Sequence, residues 1–246
     1  SVISRNNFRN NYYGIYLNRS NGNSVLQNTI AQNLIGIALL WSNGNNISGN
    51  MISNNFWRGI EVGGDENTVI ENVVLSNEYG IGLTGSNNTL RSNNMSDNEY
   101  NFSVSGGWLS YFINDIDTSN TVDGKLVYYL INQRDLVISP TTFPDVGYLG
   151  LINSTNIKVM DLNIANEGEG ILLVQTSNSR IQNVSLSYNS RAIMLEYYSE
   201  QNVISNNTMS DNYLGMFLGS GVSDNVVRGN TLVNSSITLL MSAANN

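Results

Sequence analysis

Asp115 and Asp117 lie two residues apart near the middle of the chain, and Asp123, Lys125, Arg134, Asp135, Lys158 and Asp161 follow them. On an extended segment, residues i and i+2 share one face. The two carboxylates could then ligate calcium, a hard cation that takes oxygen donors. They could also divide general acid and general base duties between them. Lys125, Asp135 and Lys158 complete this candidate catalytic set. Asp135 and Lys158 have a plainer reading: counted along the repeat described below, they occupy one slot in successive units and stack as a surface ion pair worth under about 1 kcal/mol. Glu167 and Glu169 in "NEGEG" make a second carboxylate pair, and their glycine neighbours predict a solvated turn.

A second set is aromatic. Tyr13, Trp57, Tyr79, Tyr100 and Tyr213 each fall just ahead of a recurring anchor position, mostly glycine. Stacked rings offer an apolar strip for sugar rings, with tyrosine hydroxyls for their polar edges; the same rings could instead pack the corner of a coil. Trp57, Tyr79 and Tyr100 are the glycan-stacking candidates. Asn-x-Ser/Thr triplets at Asn18, Asn46, Asn87, Asn94, Asn101, Asn153, Asn183, Asn206 and Asn234 could accept N-glycans. A chain with 43 asparagines carries about this many by chance, so they fit a glycosylated surface protein without arguing for one.

Composition narrows the chemistry. There is no histidine and no cysteine, which removes disulfides, thiolate metal sites and the commonest general base. Eleven basic residues stand against 19 acidic ones, a net charge of −8, with no Lys/Arg run. Nucleic acid and anionic membrane surfaces are therefore poor partners. No apolar run approaches the roughly 20 residues of a membrane span. Met51, Met95 and Met209 are read as filling the apolar slot held elsewhere by Ile30 and Leu186, and Met216 as replacing an anchor isoleucine, all core positions rather than copper ligands.

What positions these residues is a repeat. Gly14 in "GIYL" returns as Gly36, Gly59 and Gly80. The slot then passes to Asn101, Gly124, Gly147, Gly170, Ala192, Gly215 and Ser236, in steps of 21 to 23 residues. A fixed period in the twenties means a solenoid. Each unit holds two strand-like phrases, one alternating after the anchor (Ile15-x-Leu17, Ile37-x-Leu39) and one of the "NSVLQNTI" type, with no room for a helix. Asparagine fills three columns: one before the anchor (Asn11, Asn33, Asn77, Asn98, Asn189, Asn212), one at Asn23, Asn45, Asn67, Asn88, Asn156, Asn178, Asn202 and Asn225, and one at Asn28, Asn50, Asn72, Asn93, Asn183, Asn207 and Asn230. Asparagine accepts left-handed turns and can hydrogen-bond along a stack. The expectation is an all-β, single-stranded parallel β-helix of about eleven coils of 21–24 residues. It would form one domain over 1–246, roughly 50 Å long at 4.8 Å per rung, with "SPTTFPDVG" (139–147) bulging as a turn.

The phrase "NVISNNTMSDNYLGMFL" (202–218) resembles right-handed parallel β-helix proteins of the NosD-like, carbohydrate-binding and sugar-hydrolase class. "DTSNTVDGKLVYYLINQRDLVI" (117–138) resembles a phrase of archaeal cell-surface versions, many of them from methanogens. The resemblance spans essentially the whole chain. It implies a right-handed coil and an extracellular or cell-surface setting with polysaccharide or cell-envelope partners. It does not bring the copper-maturation role attached to the NosD name, because the imidazole and thiolate ligands are missing. β-Helix enzymes of acidic polysaccharides use clustered carboxylates, often calcium, and a Lys or Arg near the cleaved bond. Their histidine-dependent and tightly patterned acidic motifs are not visible here.

The sequence opens at Ser1 with no signal-peptide pattern, which predicts either a cytosolic protein or a mature or excised fragment. Its last residues, "MSAANN", read through into "SVISRNNF" as one more coil, with Asn246 on the Asn202 slot. This predicts either a segment of a longer repetitive protein or a subunit that stacks end to end. Three functions follow as expectations: a non-catalytic structural or adhesive surface module with glycan contacts, a polysaccharide lyase or hydrolase, or a self-assembling filament or envelope subunit. No cofactor is expected, beyond calcium at Asp115 and Asp117.

Overall fold

The computed structural model describes residues 1–239, and Asn246 lies outside them. The fold is an all-β parallel solenoid of about eleven coils, with no α-helix among the described residues. It divides into two compact units, Ser1–Val127 and Tyr128–Asn246.

In the first unit each coil has three faces. The first face stacks Val2–Ser4, Ser24–Leu26, Asn46–Ser48, Thr68–Ile70, Thr89–Arg91 and Asp115–Ile116 in parallel. The second stacks Asn7–Arg9, Thr29–Ala31, Met51–Ser53, Val73–Leu75, Asn94–Ser96 and Thr121–Val122. The third, with longer strands, stacks Tyr13–Asn18, Ile35–Leu40, Arg58–Gly63, Tyr79–Leu83 and Tyr100–Val104. The two short faces each send one apolar column inward, such as Val25, Ile47, Val69 and Leu90, all fully buried, and the long face sends two, beginning at Ile15 and Leu17. In the second unit the same scheme recurs, and its long face stacks Val146–Ile152, Glu169–Val174, Arg191–Glu196, Leu214–Leu218 and Ile237–Leu239.

The anchor glycines have a steric reason. A Cβ on Gly14 would lie 2.5 Å from the Ile30 side chain and 2.6 Å from the Gly36 carbonyl, and one on Gly80 would lie 2.2 Å from the Asn101 carbonyl. The slot points into the core where two coils touch, so only a hydrogen fits without displacing backbone.

The asparagines form hydrogen-bonded ladders. Asn50 Oδ1 accepts from both the backbone N–H and the side-chain amide of Asn28, at 2.9 and 3.0 Å, while its own Nδ2 donates to the Val25 carbonyl and to Asn72 Oδ1. The corner's left-handed residue is the one before the ladder asparagine, as at Gln27 (φ 55°) and Glu71 (φ 57°). The side chain thus meets the corner's buried polar groups, which secondary structure cannot pair. Asn156, Asn178 and Asn183 depart from the expected columns. They are exposed and left-handed themselves, and Ile157, Ser179 and Val184 take the inward slots.

Four register expectations are corrected. Gly124 is not a coil anchor. Asp123 (φ 47°) and Gly124 (φ 77°) form the two-residue loop of an antiparallel hairpin pairing Val122 with Lys125, as a type I′ turn requires. Leu149 pairs with Ile171, so Tyr148 rather than Gly147 stands opposite Gly170. The step from Asn88 to Asn114 is 26 residues, because an insertion carrying the 3-10 turn Leu109–Phe112 lengthens that coil. Finally, Met51 is 51% exposed because Ile52 takes the inward slot, while Met95, Met209 and Met216 are fully buried as expected.

Candidate functional site

The expected carboxylate cluster does not assemble as a free pair. Asp115 and Asp117 are exposed on the rim of the first unit, and Arg91 reaches both, its Nε 3.0 Å from Asp117. Asp117 also accepts from Ser119. One guanidinium thus bridges two exposed carboxylates. Among the described residues no group of three or more Asp, Glu, His or Cys is placed to hold a metal ion. Lys125 follows the hairpin loop and is exposed.

The Asp135–Lys158 stack is also corrected. Lys158 stands opposite Val137, and Asp135 accepts from Asn156 Nδ2 at 2.6 Å. The anchor count failed here because it took Gly124 and Gly147 for equivalent positions.

Glu167 and Glu169 are not a solvated turn: they are 1% and 0% exposed. Arg191 holds Glu169 Oε1 at 3.2 Å, and the Tyr148 hydroxyl approaches Oε2 at 3.5 Å. Burial, with Glu169 close by, pushes the phenols of Tyr129 and Tyr148 well above the usual tyrosine value. Asn101 is fully buried and donates its amide to Asp123, so the acceptor expected there is closed to a glycosyl transferase. The other eight sequon asparagines are exposed.

Of the aromatic set, Tyr13, Trp57, Tyr79 and Tyr100 lie along the first unit's third face, whereas Tyr213 is exposed in the second unit. Tyr13, Ile35, Arg58, Tyr79 and Tyr100 follow one another in register across the five strands. The Tyr79 and Tyr100 rings lie 5.0 Å apart, and Tyr13 stacks on Tyr16 at 4.5 Å. The Arg58 guanidinium lies 4.7 Å from the Trp57 ring and 5.3 Å from Tyr79, and pairs with Glu61 at 3.5 Å. Gly82 leaves it room, since a Cβ there would be 3.2 Å from Nη1. Arg58 therefore locks two aromatic rings through cation–π contact.

Beside this strip, Glu78 and Glu99 line an open groove of about 530 Å³ with Phe56, Asn54 and Gln32. Burial raises the Glu78 carboxyl, the Glu99 charge adds to the rise, and Arg58 opposes it. The Tyr100 phenol is pushed up to about 12 by burial first, then by the Glu99 charge, Tyr79 and its hydrogen bond to Glu99. At neutral pH Tyr100 is thus a neutral hydroxyl beside a carboxylate. The arrangement provides flat apolar rings edged by acceptors and one fixed cation, which suits a polyhydroxylated ring. Arg58, Glu61, Glu78 and Glu99 were not singled out from the sequence. Their signal is there: "NEYG" (77–80) and "NEYN" (98–101) place Glu78 and Glu99 in one slot, 21 residues apart.

The second unit gives a pH prediction. Glu196 is buried, and burial raises its carboxyl above the usual range against the opposing pulls of the Ser220 N–H and Arg191. A raised folded value means that the native state holds the proton longer than the unfolded chain does. The contribution is complete below the unfolded value and is lost as pH rises through the folded one. Stability should therefore fall with rising pH just above the usual carboxylate range, and Glu196→Gln should flatten that slope in urea titrations run at several pH values.

Residues 1–128 match the family described as "Periplasmic copper-binding protein (NosD)", and residues 120–246 match "Right handed beta helix region". No curated protein matches the chain. Among solved structures, the Azotobacter vinelandii mannuronan C-5 epimerase AlgE4 A-module is 14% identical, with a TM-score of 0.41, covering 91% of this chain and 64% of that one. An alginate lyase from Paenibacillus sp. str. FPU-7 is 11% identical (TM-score 0.34; 95% and 76% covered). The endo-xylogalacturonan hydrolase from Aspergillus tubingensis is 9% identical (TM-score 0.35; 96% and 85% covered). The chain thus spans under two thirds of the epimerase module, and at these scores the likeness carries no argument about activity. No helix among the described residues is long and apolar enough to cross a membrane.

Proposed function

The chain belongs to the NosD family of right-handed β-helix proteins, and from that premise we propose that it is a non-catalytic module working outside the cytoplasm, where the outer third face of its first unit holds a glycan chain. The observation that carries this reading is the Trp57–Arg58–Tyr79–Tyr100 strip, with Glu78 and Glu99 at its edge. Stacking on rings supplies affinity, and the carboxylates and the Tyr100 hydroxyl meet sugar hydroxyls.

The copper of the family description does not fit these residues. The sequence lacks His and Cys, the thioethers of Met95, Met209 and Met216 are sealed in the core while exposed Met51 offers a single one, and the described acidic residues form no ligand group. Asp115 and Asp117, with Arg91 in reach of both, are where a catalytic reading would have to act, and the product screen below tests it.

The test is affinity electrophoresis against a panel of neutral and acidic polysaccharides, with mass spectrometry of the supernatants for released oligosaccharides. Retardation without products is expected, and a variant combining Trp57→Ala with Tyr79→Ala should bind at least about tenfold more weakly, about 1.4 kcal/mol. Product ions with unsaturated or newly hydrolysed ends would overturn the non-catalytic reading, and unchanged binding by the double variant would remove the strip from it.

A further inference from the structure

At the opposite end of the same strands lies a second cleft, of about 450 Å³, which the strip does not include. Its walls are Trp41 and Tyr111, its floor is glycine backbone, and its polar rim is Asp65, Asn43 and Thr84. The volume falls in the range of small-molecule sites.

Three features mark it as built rather than incidental. Trp41 is 67% exposed at the corner that ends Ile35–Leu40, its N–H bound to the Gly63 carbonyl and its indole braced by the Arg19 guanidinium at 5.4 Å. Two of its floor glycines cannot carry a side chain: a Cβ on Gly63 would sit 2.8 Å from the Leu39 carbonyl, and one on Gly64 would sit 2.3 Å from the Ser42 carbonyl. The second wall comes from the insertion that stretches the coil between Asn88 and Asn114 to 26 residues. Its 3-10 turn, Leu109–Phe112, carries Tyr111. The ring of Tyr111 packs on Gly106, and its carbonyl accepts from Asn114 Nδ2 at 2.7 Å. Insertions in solenoids commonly gather on the binding side, and this one adds an aromatic wall facing a bare floor.

The rim sets the charge preference. Asp65 Oδ1 accepts from the Ser86 N–H and hydroxyl at 2.7 and 2.8 Å, which orients the carboxylate and leaves Oδ2 as an acceptor. Asn43 Oδ1 is spent on the Asp65 N–H, leaving its Nδ2 as a donor. Asp65 is the charged residue of the lining, and the Arg19 guanidinium braces Trp41 from outside it, so an acidic sugar would meet repulsion at the rim and a neutral one would meet hydrogen bonds.

We propose that this cleft is a subsite for one neutral pyranose ring, stacked on Trp41, walled by Tyr111 and hydrogen-bonded by Asp65 and Asn43. It rests on the glycan-contact reading above and extends it. The strands between Arg58 and Gly63 separate the two sites by roughly 17 Å, so an oligosaccharide, and not a monosaccharide, could engage both.

The test is a titration of the full chain with methyl glycosides of neutral hexoses and of a hexuronate, followed through the three indole N–H resonances in two-dimensional NMR. The Trp41 resonance should move with a neutral glycoside and at least about tenfold less readily with the hexuronate. Trp41→Ala and Tyr111→Ala should each weaken monosaccharide binding about tenfold or more, whereas Tyr213→Ala, at an exposed ring of the second unit, should leave it unchanged. Trp41 is exposed, so an unaltered melting temperature checks that the variant folds. A Trp41 resonance that stays fixed at every glycoside concentration would overturn the subsite. If polysaccharide binding then still depended on Trp57 and Tyr79, the strip reading would survive without it. A response equal for hexose and hexuronate would overturn the charge assignment.

Discussion

Asn50→Ala should lower the stability of the first unit by about 3 kcal/mol or more, far beyond what an ordinary polar-to-alanine change costs. Asn50 is 1% exposed and serves two coils at once. Its Oδ1 takes the N–H and the side-chain amide of Asn28, and its Nδ2 gives to the Val25 carbonyl, the Ser48 carbonyl and Asn72 Oδ1. Alanine orphans several buried groups together, and each unsatisfied one costs about 1–3 kcal/mol. The ladder partners Asn28 and Asn72 are themselves 1% and 0% exposed, so their orphaned groups would lie away from solvent. Asn50→Asp should be no milder: it keeps the acceptor but loses the donors and buries a charge. The contrast is Asn10→Ala, at an exposed left-handed corner (φ 58°), which should cost about 1 kcal/mol or less. Urea midpoints for the three variants give the comparison, and near-equal costs for Asn50→Ala and Asn10→Ala would show that the ladder is not what holds the corners.

The repeat was legible because steric rules act at every coil alike. The anchor needs a hydrogen where Gly36 and Ile30 approach Gly14, so glycine recurs at the period. The inward alternation of Ile15 and Leu17 follows from the pleat. Errors arose where one residue type serves two geometries. Glycine marks both the core-facing anchor and the αL position of a hairpin, so Gly124 passed for an anchor although "VDGK" is a strong hairpin signal. That slip carried the register into Asp135 and Lys158. Asparagine serves both the inward ladder and the left-handed corner beside it, so Asn178 and Asn183 were placed in columns held by Ser179 and Val184. The site was half visible. Trp57, Tyr79 and Tyr100 stood out as aromatics at the period, but Arg58 and Glu61 are single substitutions in columns of other character, and only three-dimensional register puts them on one face. Glu167 and Glu169 looked solvated because charge and glycine usually mean a loop. Arg191, one coil on, is what lets Glu169 go inside.

That pair gives the second large effect. Glu169 is 0% exposed, and Arg191, opposite it in register on the next coil, supplies its ion pair at 3.2 Å. The Tyr148 hydroxyl at 3.5 Å is a long contact, and the Arg191 guanidinium is further held 5.5 Å from the Phe217 ring. Arg191→Leu removes the cation that Glu169 faces in register, and breaking a buried ion pair by deleting one partner costs about 3–5 kcal/mol. The Arg191 side chain is 32% exposed, so water partly relieves the loss, and the lower end, about 3 kcal/mol, is expected. Adding Glu169→Leu should recover most of that loss, because replacing both partners removes the stranded charge and buries apolar surface in its place. Glu169→Leu alone should cost less than Arg191→Leu alone, since the arginine it strands can turn to solvent. Urea unfolding of the two single variants and the double variant closes the cycle. A double variant as unstable as the sum of the singles would mean that each side chain matters for its packing and that the pair itself contributes nothing.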